Sequence, residues 1–128
     1  RPELYQRLID MEKSSANKLE LCLGSLQEMQ SDKPIYDYLE QYLREDRISY
    51  IHFRNVRGKV PCYDEVFVDE GDIDMLRVLD LLKKYDFDGV LIPDHTPLMT
   101  CGAPWHAGMA YALGYIKAAM QALDWEKI

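Results

Sequence analysis

The sequence predicts an α/β fold in which parallel strands alternate with helices. Three observations favour it: apolar residues recur at helical spacing in several segments, short apolar runs lie between those segments, and Gly, Pro and Asp residues separate the two kinds. The predicted order is α, β, α, β, α, β, α. Regular alternation of this kind is typical of a parallel sheet covered by helices.

The first half of the chain is predicted to contain two helices and two strands. Residues 3–15 have the spacing of an amphipathic helix, and residues 19–25 (LELCLGS) form a short apolar strand. A second helix begins at Pro34, which the first helical position tolerates, and its apolar stripe ends at Leu43. Residues 48–56 (ISYIHFRNV) are rich in β-branched and aromatic residues and predict the second strand.

The second half begins with a long connection at residues 57–71, which exceeds the usual length of a βα loop and predicts a lid or substrate loop. Asp72 is predicted to cap a third helix whose apolar stripe ends at Leu82. Residues 90–94 (VLIPD) predict the third strand, and residues from about 105 to 123 predict the last helix.

Composition limits the class of protein. The 128 residues fit one domain, and 48% hydrophobic with 29% charged residues indicate a soluble globular protein. A net charge of −7 argues against a nucleic-acid partner, and no apolar run approaches the roughly 20 residues that span a bilayer. Three cysteines without a disulfide spacing pattern predict a reducing, cytoplasmic location.

The pattern leaves two architectures open. Three strands with their helices could form a small open α/β domain, or they could be part of a closed (β/α)₈ barrel, which takes about 250 residues. A start at Arg1, without an initiator methionine, is compatible with a piece of a longer protein.

Reactive side chains cluster where the predicted strands end. His52, His95 and His106 lie at the carboxyl end of a strand or in the segment that follows, and so do Cys22 and Asp94. Ligands bind at this edge of parallel α/β folds. The two-residue repeat of a strand directs Cys22 and His52 to the same face, where Asp94 can join them. A thiolate, an imidazole and a carboxylate together predict a site for zinc, iron or manganese.

Each of these residues also has a structural explanation. Cys22 could be a small buried apolar residue, His52 a core histidine, Asp94 a turn residue and Arg54 a solvated charge at a strand end. A structural zinc site that uses the three cysteines is disfavoured, because the chain has no C-x-x-C pair.

Several motifs together resemble one enzyme family. The stretches YIHFRNVRGKVPCYDEVFVDEGDIDMLRVL, DGVLIPDHTP, APWHAGMAYALGYIKA and ANKLELCLGSL are similar to the C-terminal half of bacterial mannonate dehydratases, and the resemblance extends over residues 15–119. It implies that residues 1–128 form a single partial domain, about three βα units at the C-terminal end of a xylose-isomerase-like (β/α)₈ TIM barrel. It also implies a cytoplasmic lyase of hexuronate catabolism that uses Mn²⁺ or Fe²⁺ to convert D-mannonate to 2-keto-3-deoxy-D-gluconate, and a homo-oligomer at full length.

The resemblance also implies roles for individual residues. Cys22, His52 and Asp94 would be metal ligands, but the family's remaining ligand, a histidine on an earlier strand, has no counterpart in this chain. His95 and His106 would be the catalytic acid and base. Arg54 is a candidate substrate contact, because removing a proton beside a carboxylate requires charge stabilisation. Asn55 is a second candidate substrate contact.

Two other functions are compatible with the same residues. One is a sugar isomerase or epimerase on the same barrel, which would act on aldoses and leave aldonates unchanged. The other is a non-catalytic α/β fragment that serves as a binding or assembly module, which would bind no metal and tolerate loss of Cys22 or Asp94.

Overall fold

The computed structural model describes residues 1–125, and within them a parallel sheet and a β-hairpin are packed against helices. The helices are α1 (Tyr5–Met11), preceded by a 3₁₀ turn at Pro2–Leu4, α2 (Leu23–Glu28), α3 (Ile35–Arg44), α4 (Met75–Lys84) and α5 (Pro104–Ala122). The strands are β1 (Leu19–Cys22), β2 (Ile48–His52), β3 (Asn55–Lys59), β4 (Cys62–Val66) and β5 (Val90–Ile92).

Three parallel strands form the main sheet in the order β1-β2-β5, with β2 at its centre. The register aligns Cys22 with His52 and His52 with Ile92, so the strands end at the same level. This arrangement confirms the predicted α/β class and the parallel sheet.

The core lies on one face of this sheet. Leu21 and Ile51 are fully buried there and belong to the same apolar cluster as Leu39 of α3 and Leu79 of α4. Complete burial of one such side chain contributes about 1.5–3 kcal/mol to folding. The opposite face is largely open in the described residues, and Val90 on that face is 63% exposed.

Three helices end in the same way, with an aspartate at positive φ. Asp46, Asp86 and Asp124 have φ values of 51°, 52° and 50°. After each one, the next backbone N–H bonds back to the helix, as in the 2.8 Å bond from Arg47 N to Tyr42 O. This left-handed ending reverses the chain within two residues, so that β2 begins soon after α3 and β5 soon after α4.

Four predicted boundaries were wrong. The strand predicted at residues 19–25 ends at Cys22, because the next residues form α2, and a short apolar run fits a buried strand and a buried helix equally well. The strand predicted at residues 48–56 ends at His52, and the one at residues 90–94 ends at Ile92. The helix predicted to reach residue 15 ends at Met11, where the side chain of Asn17 donates to the carbonyl of Glu12 at 2.8 Å.

The connection at residues 57–71 is also more ordered than predicted, since it contains most of an antiparallel hairpin, β3–β4, that begins at Asn55. The cap of α4 was assigned to the wrong aspartate. Asp74 accepts from the Arg77 N–H at 3.0 Å, whereas the carboxylate of Asp72 accepts from Gly58 N at 2.8 Å and joins the hairpin to α4.

No helix among residues 1–125 combines the length and the apolar composition that crossing a membrane requires.

Candidate metal centre

The carboxyl ends of the three parallel strands bring Cys22, His52 and Asp94 together. One donor atom from each, the thiol sulfur, an imidazole nitrogen and a carboxylate oxygen, lies within 4.8 Å of the other two. Cys22 ends β1 and His52 ends β2, while Asp94 follows β5 by two residues and so continues the face of Ile92. The juxtaposition expected from the strand repeat is therefore present.

The donor set suits a divalent transition metal. Ligand atoms about 2.0–2.3 Å from one ion can lie at most about 4.6 Å apart, so small side-chain rotations would bring these three donors to bonding distance. Sulfur, nitrogen and oxygen donors together favour zinc, iron or manganese over magnesium or calcium. All three side chains are half-buried, which limits competition from water while leaving access for an ion.

The charges around the three donors also favour a cation. Four carboxylates contact Arg54 or His52 within the described part of the chain, so these carboxylates and Arg54 together have a net formal charge of −3. The carboxylates are Glu20, Glu28, Glu65 and Asp94. An excess of negative charge in a partly buried site is relieved by binding a divalent ion.

Glu20 also contacts His52, at the same ring nitrogen that Asp94 approaches. Its Oε1 lies 3.0 Å from His52 Nδ1, and its Oε2 accepts a 3.1 Å hydrogen bond from the hydroxyl of Tyr50. That hydrogen bond to a carboxylate raises the pKa of Tyr50, because it favours the neutral phenol. Glu20 was not predicted, although it shares the strand face of Cys22.

Arg54 is buried at 6% exposure and lies beside two of the three donors, Cys22 and Asp94. Its Nε donates to Cys22 Sγ at 3.2 Å, and Asp94 Oδ2 lies 3.8 Å from Nε. Its two terminal nitrogens contact Glu65, Ser25 and Glu28. Burial lowers the pKa of Arg54, but the contacts with Cys22, Glu65 and Glu28 raise it by a larger amount, so the pKa of Arg54 lies above its ordinary value and the guanidinium stays charged.

Asn55, predicted as a substrate contact, is buried and forms hydrogen bonds with the backbone. Its side chain is 1% exposed, and its amide donates to the carbonyls of Val68 and Ile73 at 2.8 and 2.9 Å. Its Oδ1 accepts from the N–H groups of Val56 and Ile73 at 3.0 and 3.1 Å. The amide's donors and acceptor sites are therefore used in joining the hairpin to the segment before α4.

The two predicted catalytic histidines differ in position. His95 lies beside the cluster, with Nε2 3.1 Å from Asp94 Oδ2, and its side chain is 55% exposed. It also lines a small cleft with Thr96 and Tyr111. His106 lies in the first turn of α5 with an exposed side chain, and no hydrogen bond or ion pair joins it to the cluster among residues 1–125.

Comparisons with known proteins agree on one family. The family model described as D-mannonate dehydratase (UxuA) matches residues 1–127. A mannonate dehydratase of Lactococcus lactis subsp. cremoris (strain MG1363) is 29% identical over 123 residues, which are 89% of this chain and 34% of the relative. One from Streptococcus pneumoniae (strain 70585) is 35% identical over 98 residues, which are 73% of this chain and 26% of the relative.

The crystal structure of mannonate dehydratase from Streptococcus suis serotype 2 matches the fold with a TM-score of 0.76 and 28% identity, covering 95% of this chain and 38% of that one. The chain spans about a third of the length of the curated relatives it matches. Because the family match extends over nearly every residue and the same fold recurs in the solved structure, the chain belongs to the D-mannonate dehydratase family.

Proposed function

We propose that this chain supplies the metal-binding and proton-transfer part of a mannonate dehydratase, a hydro-lyase that removes water from D-mannonate to give 2-keto-3-deoxy-D-gluconate. The observation that supports it most directly is the convergence of Cys22, His52 and Asp94 within 4.8 Å in a chain of this family. The proposed ligands are these three side chains, and the proposed ion is Mn²⁺ or Fe²⁺.

The reaction requires two proton transfers and one stabilised charge. The proton at C2 must move to a base, and the hydroxyl at C3 must leave as water after an acid protonates it. A divalent ion, when bound, stabilises the negative charge that develops on the substrate's carboxylate as the C2 proton leaves. The chain's own residues must then orient the substrate and transfer the protons.

His95 is the proposed proton-transfer group nearest the ligands. Its contact with Asp94 orients the imidazole, and its exposure leaves one edge available to substrate in the cleft it lines. His106 is the proposed second group, assigned from the family resemblance, and substrate would have to lie between the two histidines. The buried charge of Arg54, beside Cys22, stabilises negative charge on the substrate from a distance and does not contact the sugar acid directly.

The proposal includes the architecture of the whole protein. The second face of the sheet is open, with Val90 63% exposed. This suits a (β/α)₈ barrel, in which further strands continue the sheet from its edges and enclose that face. We further propose a cytoplasmic homo-oligomer that binds neither nucleic acid nor membrane. Light scattering during size-exclusion chromatography of the longest natural form of the protein would measure the oligomer.

The test of the activity supplies D-mannonate with Mn²⁺ or Fe²⁺ to that form and measures 2-keto-3-deoxy acid. We expect product with wild-type protein and at least a ~100-fold lower rate with Asp94→Asn, which removes one ligand charge. The matched control is Asp88→Asn, which changes an exposed aspartate two residues before β5 begins and should keep the wild-type rate.

Two results would contradict the proposal. Metal-loaded, folded protein that isomerises aldoses but leaves D-mannonate unchanged would show a sugar isomerase. Protein that binds no metal and tolerates both Cys22→Ala and Asp94→Ala would show a non-catalytic module.

A further inference from the structure

The hairpin β3–β4 contacts the candidate metal centre indirectly, through Arg54. Glu65, the last residue but one of β4, forms an ion pair with Nη1 of Arg54, and Glu28, at the end of α2, lies 3.4 Å from Nη2. The remaining guanidinium nitrogen, Nε, donates to Cys22 Sγ. The orientation of Cys22, a proposed ligand, therefore depends on Arg54, and two carboxylates bind the other nitrogens of that guanidinium.

The space for this guanidinium depends on Gly24. A Cβ at Gly24 would lie 2.5 Å from Nη1, 2.6 Å from Cζ and 2.8 Å from Nε of Arg54. A larger residue would force the guanidinium to shift, so glycine at this position leaves the space for the close approach of Arg54 to Cys22.

The hairpin itself is attached to α2, which begins immediately after Cys22. Val60 N donates to Glu28 O at 2.9 Å, and Lys59 Nζ donates to Gln27 O at 2.6 Å. These bonds fix the hairpin relative to α2, and so fix the carboxylate of Glu65 relative to the Cys22 sulfur.

The position of the Glu65 side chain also lowers the stability of the fold. Its Oε2 is buried and accepts no hydrogen bond among the described residues. A buried polar atom without a partner costs about 1–3 kcal/mol. Such an unsatisfied group is typical of a functional site rather than of a residue present only to stabilise the fold.

We propose that Glu65, assisted by Glu28, is a positioning residue of the metal centre. It orients Arg54 so that Nε–H donates to the Cys22 sulfur, and its charge offsets a guanidinium that would otherwise oppose the binding of a cation beside Cys22 and Asp94. This inference rests on the proposed metal site. Groups that orient metal ligands in this way change metal affinity by about 10–100-fold.

The experiment titrates metal-free protein with Co²⁺ and follows the thiolate-to-cobalt charge-transfer absorption, which reports the metal–sulfur bond directly. We expect Glu65→Gln to raise the Kd for Co²⁺ by about 10-fold and to alter the charge-transfer band. The matched control is Asp64→Asn, which removes the same charge from an exposed neighbour on β4 and should stay within about twofold of wild type. Arg54→Lys, which keeps the charge but loses the Nε donor, should alter the band as well.

Wild-type affinity and an unchanged band in Glu65→Gln, with only a lower unfolding temperature, would overturn the inference and make Glu65 a structural residue. If Glu65→Gln does not fold, Glu28→Gln makes the same test from the other carboxylate. A wild-type protein that shows no cobalt–sulfur band would overturn the metal site and this inference together. A band that Cys22→Ser abolishes but Glu65→Gln leaves unchanged would overturn the inference alone.

Discussion

Replacing Gly24 with alanine has two opposite effects on the free energy of unfolding. Alanine is a better helix former than glycine by about 1 kcal/mol, and Gly24 lies within α2, so helix propensity predicts a more stable protein. The new Cβ would, however, overlap the guanidinium of Arg54, which is 6% exposed and would have to move away from its hydrogen-bond partners.

The expected net effect is destabilisation. The guanidinium has four hydrogen-bonding contacts, to Cys22, Glu65, Ser25 and Glu28. A hydrogen bond to a charged group contributes about 1.5–3 kcal/mol, so losing two of them costs roughly 3 kcal/mol or more. Subtracting about 1 kcal/mol for helix propensity leaves the Gly24→Ala protein about 2 kcal/mol less stable, with an unfolding temperature about 8 °C lower.

Urea unfolding of metal-free protein, followed by circular dichroism, would measure the change. The chain contains a matched control, because Gly114 is an exposed residue within α5 where an added Cβ meets no atom within 4 Å among the described residues. Gly114→Ala should therefore stabilise the protein by about 1 kcal/mol. If Gly24→Ala were stabilising by the same amount, Arg54 would not occupy the space beside Gly24, and its proposed connection to Cys22 would be refuted.

Three further predictions concern stability. Gly71→Ala should destabilise by about 3 kcal/mol in chemical denaturation, because its Cβ would overlap the buried amide of Asn55 and disrupt its four backbone hydrogen bonds; a loss below about 0.5 kcal/mol would contradict this packing. Asp124→Gly should raise the unfolding free energy by about 1 kcal/mol, since φ is 50° there and glycine adopts it without strain; no gain would refute the strained ending. Burial raises the pKa of Tyr42 from 10.0 to about 12, which favours the neutral phenol in the folded state. The stability from this shift is complete below pH 10 and is lost as pH rises towards 12, so urea unfolding should show a smaller loss over this interval in Tyr42→Phe than in wild type.

Much of the candidate site could be predicted from the sequence because strand geometry is regular. Side chains alternate along a strand, and parallel strands end at one edge, so the positions of Cys22 and His52 within their strands predicted a common direction. The resemblance to mannonate dehydratases then named the same three ligands, and the family match confirmed that resemblance. The proposed roles of His95 and His106 stay predictions, since no contact tests them.

The contacts behind the ligands could not be predicted in the same way. Arg54 approaches Cys22 across 32 residues of sequence, and Glu65 reaches Arg54 only because the chain after His52 turns back as a hairpin. The sequence pattern of residues 57–71 resembles an irregular loop, and nothing in it specifies which strands pair. The hydrogen bonds of Asn55 could not be predicted for the same reason, because its partners, the carbonyls of Val68 and Ile73, lie beyond that hairpin.

The sequence by itself therefore predicted the α/β class, the parallel sheet and the convergence of Cys22, His52 and Asp94, since each follows from local periodicity or from a family motif. The tertiary structure decided the hairpin, the burial of Arg54 and Asn55, and the involvement of Glu20 and Glu65. The physical reason is that periodicity describes how neighbours along one element face the core, whereas hydrogen bonds and ion pairs between elements depend on where separate segments meet once they have packed.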